Sequence, residues 1–272
     1  MNDPREPLRD GVAPAEPTTV DRVSFRLDGE TALVSGGGSG IGHGVVRCLW
    51  AAGARVVLIG RREAPLRRAV ESLGERANFF VHDVTDFEGT PRLIGRIRQE
   101  IGPVTILVNN AGIHLKKPAL DTTEQEMQRV IDVHLTGAFA LTRACLPDMI
   151  HAGKGSVIFI ASMASFLGLP LVLTYSTAKS GMLGMVRGLA AEYSRRGVRV
   201  NAVAPGWIQS DMLDRSMEGD PDRRERVLAR TMLGRFGTSE DVGWAVVYLC
   251  SSAARYVTGV CLPIDGGASV GF

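Results

Sequence analysis

The residues with the clearest chemical potential are a tyrosine and a lysine, Tyr175 and Lys179, in the segment Tyr-Ser-Thr-Ala-Lys. Spacing of i and i+4 places the phenol and the ammonium on one face of a helix. A phenol exchanges protons poorly at neutral pH unless its anion is stabilised. A positive charge about 4 Å away is worth roughly 4 kcal/mol at an effective dielectric constant near 20, or about three pKa units. With Ser162 upstream, at the end of a predicted strand, the pair predicts proton transfer to or from a bound oxygen.

A glycine-rich loop, Ser35-Gly-Gly-Gly-Ser-Gly-Ile-Gly42, follows the first predicted strand and opens a helix. Gly36, Gly40 and Gly42 allow a tight turn and bring backbone N–H groups at a helix N-terminus towards a pyrophosphate. A flexible turn would also explain such a loop, but its place at the start of a parallel sheet favours dinucleotide binding. The absence of a Gly-Lys-Ser/Thr ending disfavours a P-loop nucleoside triphosphatase.

The residues after the second predicted strand favour NADP over NAD. A carboxylate there would bond the ribose hydroxyls of NAD, but this chain has Arg61 and Arg62. A guanidinium can hold a 2′-phosphate in a bidentate manner. NAD stays possible, because the arginines could be solvated helix-start charges and because Ser39 stands where a second basic residue would help. Asp83, after the third strand, could accept a hydrogen bond from an adenine amino group, although an isolated Asp at this place is more often a turn residue.

Short β-branched segments alternate with helix-length segments along most of the chain. The predicted strands are Thr31–Ser35, Arg55–Ile59, Asn78–His82, Thr105–Asn109, Ser156–Ile160, Val198–Val203 and Val260–Ile264. Most are apolar on both faces, as strands covered by helices on both sides must be. The pattern predicts an α/β fold with a doubly wound parallel sheet, in one catalytic domain covering 23–272. Residues 1–22 are rich in proline and lack an apolar run, so they are predicted to form a disordered tail.

Composition argues against several other functions. The 31 Lys and Arg residues nearly balance the 29 Asp and Glu residues, and the two signs are interspersed, which disfavours nucleic acid or an anionic membrane as a partner. Polar residues and a proline interrupt the uncharged stretch 155–178, so it is not predicted to span a membrane. Four widely spaced cysteines and an N-terminus without a secretory signal favour reduced thiols and a cytoplasmic location. No histidine or cysteine has metal-ligand spacing, and a catalytic metal is not expected.

These motifs together resemble the short-chain dehydrogenase/reductase (SDR) family from about Phe25 to the end. Further matching segments are Asn109-Asn-Ala-Gly112, Pro205-Gly-Trp-Ile-Gln-Ser210 and Ile264-Asp-Gly-Gly267. The resemblance implies a seven-stranded Rossmann sheet of order 3-2-1-4-5-6-7, a nicotinamide cofactor and reversible hydride transfer between its C4 and a carbonyl or secondary alcohol carbon.

The resemblance also implies residue roles. It makes Tyr175 the acid/base, Lys179 the group that lowers its pKa and binds the nicotinamide ribose, and Ser162 a hydrogen-bond partner of the substrate oxygen. The implied cofactor-binding residues are Gly36, Ser39, Gly40, Ile41, Gly42, Arg61, Arg62, Asp83, Val84, Asn110, Ala111, Gly112, Tyr175, Lys179, Pro205, Gly206, Ile208 and Ser210.

One position departs from the family pattern. Many members have Asn in a Val-Asn-Leu-x-Gly segment, whereas this chain has Val133-His-Leu-Thr-Gly137. Since that Asn anchors a water that supplies protons to the lysine, His134 is predicted as a fourth catalytic residue. It would either hold the same water or titrate near pH 6 to 7 within the relay. The alternative is a histidine in the helix core that is hydrogen-bonded to the backbone.

Two segments are expected to determine substrate specificity: the loop Ile113-His-Leu-Lys-Lys-Pro118 and the segment after Pro205. Lys116 or Lys117 could meet a carboxylate or phosphate, or both could be ordinary loop lysines. This loop and Leu233-Gly-Arg-Phe-Gly237 resemble gluconate 5-dehydrogenases and related polyol or sugar-acid enzymes, while the overall pattern also resembles 3-oxoacyl carrier-protein reductases.

Two functions from other classes are weighed against a dehydrogenase. A nucleotide-binding sensor or scaffold could keep the fold without the chemistry, although Ser162, Tyr175 and Lys179 argue against it. A Rossmann methyltransferase would leave the Tyr/Lys pair unexplained. The family resemblance further implies a homotetramer with contacts through the helical regions around 124–149 and 174–195.

Overall fold

A computed structural model describes residues 24–210, 213 and 221–271. The predicted tail 1–22 and the predicted domain boundary at residue 23 lie outside the described residues. Within them, seven parallel strands form one sheet of order β3-β2-β1-β4-β5-β6-β7, as expected. The strands are β1 Thr31–Ser35, β2 Arg55–Gly60, β3 Ala77–Val81, β4 Ile106–Asn109, β5 Gly155–Ile160, β6 Val198–Pro205 and β7 Cys261–Ile264. Their predicted ends are confirmed to within two residues.

Helices join the strands and cover both faces of the sheet. They are α1 Gly40–Ala51, α2 Glu63–Glu71, α3 Thr90–Glu100, α4 Glu124–Ile131, α5 Gly137–His151, α6 Leu173–Tyr193, α7 Pro221–Arg230 and α8 Ser239–Cys250. A π-helical turn, Asp132–Thr136, joins α4 to α5. No helix in the described ranges combines the length and the apolar composition needed to cross a bilayer.

The core is divided by the sheet into two layers. Adjacent residues of β1 point to opposite faces, so Leu33 belongs to the layer with α3, α5 and α6, and Val34 belongs to the layer with α1 and α8. All five residues of β1 and all six residues of β5 are buried. Strands that are apolar on both faces are therefore explained by helices on both sides.

The order of the strands reverses between β1 and β4, which pair with each other in the middle of the sheet. Chains that leave the carboxyl ends of such neighbours diverge to opposite faces and open a crevice, where ligands bind in doubly wound folds. The loops after β1, β4 and β5 all begin at this edge, because β4 also pairs with β5 in parallel. This topology brings the glycine loop, the Asn109–Gly112 segment and Ser162 together.

Candidate active site

Ser162, Tyr175 and Lys179 meet at the carboxyl end of β5. Ser162 follows the strand and caps a short 3-10 turn, where its Oγ accepts a hydrogen bond from the backbone N of Ala164 at 3.1 Å. Tyr175 and Lys179 lie one turn apart near the start of α6. The Lys179 Nζ lies 5.6 Å from the centre of the Tyr175 ring. The predicted serine, phenol and ammonium therefore form one cluster.

Burial controls the acid-base strength of this cluster. Lys179 is 3% exposed and its Nζ donates to the backbone carbonyl of Ile160. Desolvation lowers the pKa of Lys179 to about 7. Desolvation raises the pKa of Tyr175, and a hydrogen bond with Ser162 opposes that rise only in part. The pKa of Tyr175 therefore lies above its ordinary value and not below it as expected, because the loss of water around the phenol outweighs the hydrogen bond that stabilises its anion. The role of Lys179 in lowering that pKa stays a prediction.

His134 lies in the π-helical turn between α4 and α5 and is 1% exposed. Such turns recur at functional sites because they displace a side chain from the regular helical position. The His134 Nε2 lies 3.0 Å from the backbone N of Ile113 and 2.8 Å from its backbone O. One ring nitrogen either donates or accepts, so each tautomer forms one of these two bonds. The Nδ1 atom is buried and has no hydrogen-bond partner among the described residues.

The histidine remains neutral at physiological pH. Burial lowers the pKa of His134 to about 3, and the charge on Lys179 acts in the same direction. The expected titration near pH 6 to 7 is therefore wrong, and the contacts are those of the buried histidine that is bonded to the backbone. The ring also lies against Gly112, where a Cβ would stand 2.5 Å from the His134 Cε1. Whether His134 anchors a water stays a prediction.

The glycine loop has the backbone shape that its sequence predicts. Gly36 and Gly40 adopt the positive φ angles 68° and 54°, which favour glycine. A Cβ at Gly42 would lie 2.3 Å from the carbonyl oxygen of Gly36, so a side chain there would clash with the backbone of the turn. Gly40 begins α1, and the free N–H groups of that helix start face the same edge of the sheet as the catalytic cluster.

A cleft of about 740 Å³, part of it open to solvent, is lined by this loop, by residues that follow β2 and β3, and by the Ala111–Ile113 segment after β4. It brings together eight of the predicted cofactor residues: Gly36, Ser39, Arg61, Arg62, Asp83, Val84, Ala111 and Gly112. The lining combines glycines of the loop with Arg61 and Arg62 and with apolar side chains such as Leu66 and Val84. Glycines that admit a pyrophosphate, basic groups that bind phosphate and apolar surface for the rings are what a nicotinamide dinucleotide requires, so these residues fit such a cofactor.

Arg61 and Asp83 face each other in this cleft. The Arg61 Nη1 lies 3.9 Å from the Asp83 Oδ2, and both side chains are substantially exposed, at 60% and 40%. Partial burial raises the pKa of Asp83, but hydrogen bonds from Thr85 and the charge of Arg61 outweigh it and keep the pKa below its ordinary value. The Asp83 side chain in the cleft is therefore a carboxylate at neutral pH, next to Arg61.

The remaining predicted cofactor residues have supporting contacts. The Asn110 side chain donates to the backbone carbonyls of Ser35 at 2.8 Å and Gly36 at 3.3 Å, and so fixes the glycine turn. Pro205 ends β6, Ile208 is buried and bridges to Gly237, and the Ser210 Oγ accepts from the backbone N of Leu213 at 3.2 Å. The predicted cofactor residues not found along the described cleft are Gly40, Ile41, Gly42, Asn110, Tyr175, Lys179, Pro205, Gly206, Ile208 and Ser210.

Several residues of the site were not found by sequence reasoning. Leu66 and His82 line the cleft, and His114 stacks against Tyr175 with ring centres 5.0 Å apart. His114 carries no motif of its own, and its only signal was its place in the loop after β4. Lys117 pairs with Glu126 at 2.9 Å, so of the two loop lysines it is Lys116 that remains exposed. The described residues contain no cluster of three side chains suited to a metal ion.

Known proteins share this architecture over most of the chain. A family model described as enoyl-(acyl carrier protein) reductase matches residues 36–269. Galactitol 2-dehydrogenase (L-tagatose-forming) of Cereibacter sphaeroides is 39% identical over 252 residues, which are 92% of this chain and 98% of that protein. The chain belongs to the short-chain dehydrogenase/reductase family. This SDR is therefore an oxidoreductase, as the motifs implied.

Other relatives of the SDR chain carry different substrate names. The 3-oxoacyl-[acyl-carrier-protein] reductase FabG of Rickettsia prowazekii is 36% identical over 89% of this chain and 97% of its own. The structure of a gluconate 5-dehydrogenase from Burkholderia cenocepacia, in complex with NADP and tartrate, superposes with a TM-score of 0.86 at 32% identity, covering 91% of this chain and 98% of that one. The family is thus shown, while the names of its relatives span sugar alcohols, sugar acids and acyl thioesters.

Proposed function

We propose that this SDR is an NADP-preferring dehydrogenase/reductase that acts on the carbonyl or secondary alcohol of a polyol, a sugar acid or a similar small polar substrate. The observation that carries the proposal is the cluster of Ser162, Tyr175 and Lys179. Its Tyr175 ring contacts His134, which lies against Gly112 of the glycine-lined cleft. A bound nicotinamide cofactor would donate or accept the hydride. The chain itself supplies the proton, the orientation of the substrate and a site shielded from water.

Tyr175 is the proposed proton donor to the substrate oxygen. Burial raises the pKa of Tyr175, so the phenol holds a proton at neutral pH. The oxygen formed when a carbonyl gains a hydride is a stronger base than a phenolate and would take that proton. Ser162 lies within hydrogen-bond reach of the phenol and would hold the same substrate oxygen. Lys179 is the proposed source of positive charge beside the phenol and of a bond to the nicotinamide ribose. His134 is the proposed fourth member, which positions its neighbours as a neutral ring.

The preference for NADP rests on the basic end of the cleft. Arg61 and Arg62 line it beside Ser39 and the end of β2, where a 2′-phosphate would find two guanidinium groups. Asp83 is the proposed partner of the adenine amino group. The neighbouring gluconate 5-dehydrogenase structure contains NADP, which supports the same preference here. NAD remains the alternative cofactor to be tested beside it.

A polar substrate is supported by the galactitol and gluconate names of the relatives. The second candidate is reduction of a 3-oxoacyl thioester, which is supported by the FabG relative and by the exposed apolar side chains Phe166, Leu171 and Leu173 near Tyr175 in the chain. The third, from another class, is a nucleotide-binding sensor that lacks turnover.

One experiment separates these candidates. The purified chain is mixed with NADPH or NADH and with ketoses, keto acids of sugars and 3-oxoacyl thioesters, and with NADP⁺ or NAD⁺ and the corresponding alcohols. Oxidation of NADPH with the sugar-derived carbonyls, at higher kcat/KM than with thioesters, is expected. Binding of NADPH by fluorescence without oxidation across the panel would favour the sensor, and a preference for thioesters would favour the second candidate.

The homotetramer and the cytoplasmic location stay proposals of the family resemblance. Several apolar residues of α4, α5 and α6 face their own core, among them Val130, Leu141 and Met182. Phe139 on α5 and Leu173 at the start of α6 are exposed instead, at 43% and 52%, and are suited to a subunit contact. Light scattering after size-exclusion chromatography tests the assembly: a monomer at micromolar concentration would contradict it.

A further inference from the structure

The Tyr175 ring contacts two imidazole rings of different exposure. The ring centre of His134 lies 5.6 Å from that of Tyr175, with the planes nearly perpendicular at 86°. The ring centre of His114 lies 5.0 Å from that of Tyr175, with the planes tilted by 43°. His134 is buried, whereas His114 is exposed. Of the two rings in contact with Tyr175, His114 is therefore the one that a molecule in solvent can reach.

The loop that carries His114 is fixed at both ends. On one side, the backbone of Ile113 is hydrogen-bonded to the His134 ring. On the other side, the Lys117 backbone N donates to the carbonyl of Leu171 at 2.7 Å, and the Lys117 ammonium pairs with Glu126. Leu171 has a φ of 67°, a left-handed conformation that a leucine adopts at a cost in energy. Contacts that hold such a backbone position the imidazole before a substrate arrives.

His114 is placed to form a hydrogen bond with a substrate oxygen on the carbon next to the reacting carbon. A substrate oxygen that is hydrogen-bonded to the Tyr175 phenol lies about 2.7 Å from it. A substituent on the next carbon is then a few bonds away, within reach of a ring that contacts Tyr175. An imidazole can both donate and accept hydrogen bonds, so it suits a hydroxyl or a carboxylate. Exposed neighbours on the loop after β5, such as Phe166 and Leu171, offer only apolar contact.

We infer that His114 is a specificity residue that hydrogen-bonds an oxygen on the carbon next to the reacting carbon. The site would then select vicinal diols, polyols and 2-hydroxy acids over simple ketones and alcohols. A 3-oxoacyl thioester has a methylene group on each side of its reacting carbonyl and offers no such oxygen. The inference rests on the proposed function and deepens it by naming the substrate class.

The test measures a preference rather than a rate alone. The wild-type chain and the variants His114→Phe, His114→Gln and His151→Phe are assayed with NADP⁺ on butane-2,3-diol and on butan-2-ol, which differ by one vicinal hydroxyl. Phe keeps a ring against Tyr175 but has no polar atom, whereas Gln keeps a donor and an acceptor. His151 is an exposed histidine at the end of α5 and serves as the matched control. Fluorescence titration with NADPH checks that every variant binds the cofactor.

The wild-type chain is expected to prefer the diol in kcat/KM. His114→Phe is expected to lower the ratio of the two kcat/KM values by about tenfold, the size of one hydrogen bond to a substrate. His114→Gln should recover part of the preference, and His151→Phe should keep the wild-type ratio. A ring that only packs against Tyr175 would give His114→Phe an unchanged ratio.

Two negative results have different meanings. In the first case, the wild-type chain oxidises polyols in the larger panel but does not prefer butane-2,3-diol to butan-2-ol, or turns over neither of them. The His114 assignment is then overturned and the proposed function stands. If the wild-type chain turns over nothing in that panel while binding NADPH, the proposed function fails and the assignment of His114 fails with it.

Discussion

The nucleotide cleft and the catalytic cluster lie side by side at one edge of the sheet, yet they keep their charges in different surroundings. In the cleft, Arg61 and Asp83 are 60% and 40% exposed and lie 3.9 Å apart. In the cluster, Lys179 is 3% exposed and its pKa falls to about 7. Water screens the first pair and is excluded from the second group. The cleft can therefore select a ligand by its charge, while the cluster changes the acid strength of its own side chains.

The largest effect is expected at the phenol. Tyr175→Phe removes the proposed proton donor and leaves the ring contacts with both histidines, so turnover should fall by about 10² to 10⁴ while NADPH binding is kept. Stopped assays of NADPH oxidation and a fluorescence titration measure the two properties. Tyr193→Phe, at the other end of α6, is the control and should retain wild-type turnover. An active Tyr175→Phe enzyme would show that another group transfers the proton.

The next effect comes from the buried ammonium. Between about pH 7 and the ordinary lysine pKa, unfolded Lys179 holds a proton that the folded chain has released, so the free energy of unfolding rises with pH by up to about 1.4 kcal/mol per unit. Below about pH 7 both states are protonated and this contribution has no slope. Urea unfolding at pH 7 and pH 9 should show that Lys179→Met loses this rise, whereas Lys116→Met on the exposed loop keeps it. Equal pH dependence in wild type and Lys179→Met would mean that the ammonium is not desolvated.

A smaller effect is expected in the exposed cleft. Arg61→Ala and Arg62→Ala should each raise the KM for NADPH by about tenfold and change the KM for NADH little, because a solvent-exposed charge contributes modestly. Steady-state kinetics with both cofactors give the comparison. Arg67→Ala on α2, an exposed arginine paired with Glu63, is the matched control. An equal rise for both cofactors would place the arginines away from a 2′-phosphate.

The smallest effect is expected at His134. His134→Asn keeps a donor and an acceptor near the Ile113 backbone, so turnover should fall by less than about fivefold, whereas His134→Leu leaves both backbone groups unpaired and should cost more. Because the pKa of His134 is about 3, the pH profile between 5.5 and 8 should have the same shape in wild type and His134→Asn. An acidic limb near pH 6 to 7 that vanishes in His134→Asn would show that the ring titrates after all.

The features of the cleft and the cluster that depend on local sequence could be predicted. β-branched segments gave the seven strands, and the glycine positions gave the turn, because short-range sterics decide both. Burial depends on what packs around a group, and the sequence does not show it directly. The pKa of Tyr175 was therefore expected to fall, whereas desolvation raises it. The π-helical turn at His134 and the Lys117–Glu126 pair likewise depend on tertiary contacts. The position of His114 against Tyr175 joins two distant segments and has no local signal.

The contact between Gly112 and His134 limits the order in which this site can change. A Cβ at position 112 would lie 2.5 Å from the His134 ring, so an alanine there requires that ring to shift. A smaller side chain at position 134 would remove the contact and make the substitution of the glycine easier. Mutant libraries that vary the two positions together should therefore return pairs of exchanges, and libraries that vary position 112 alone should return the parent glycine.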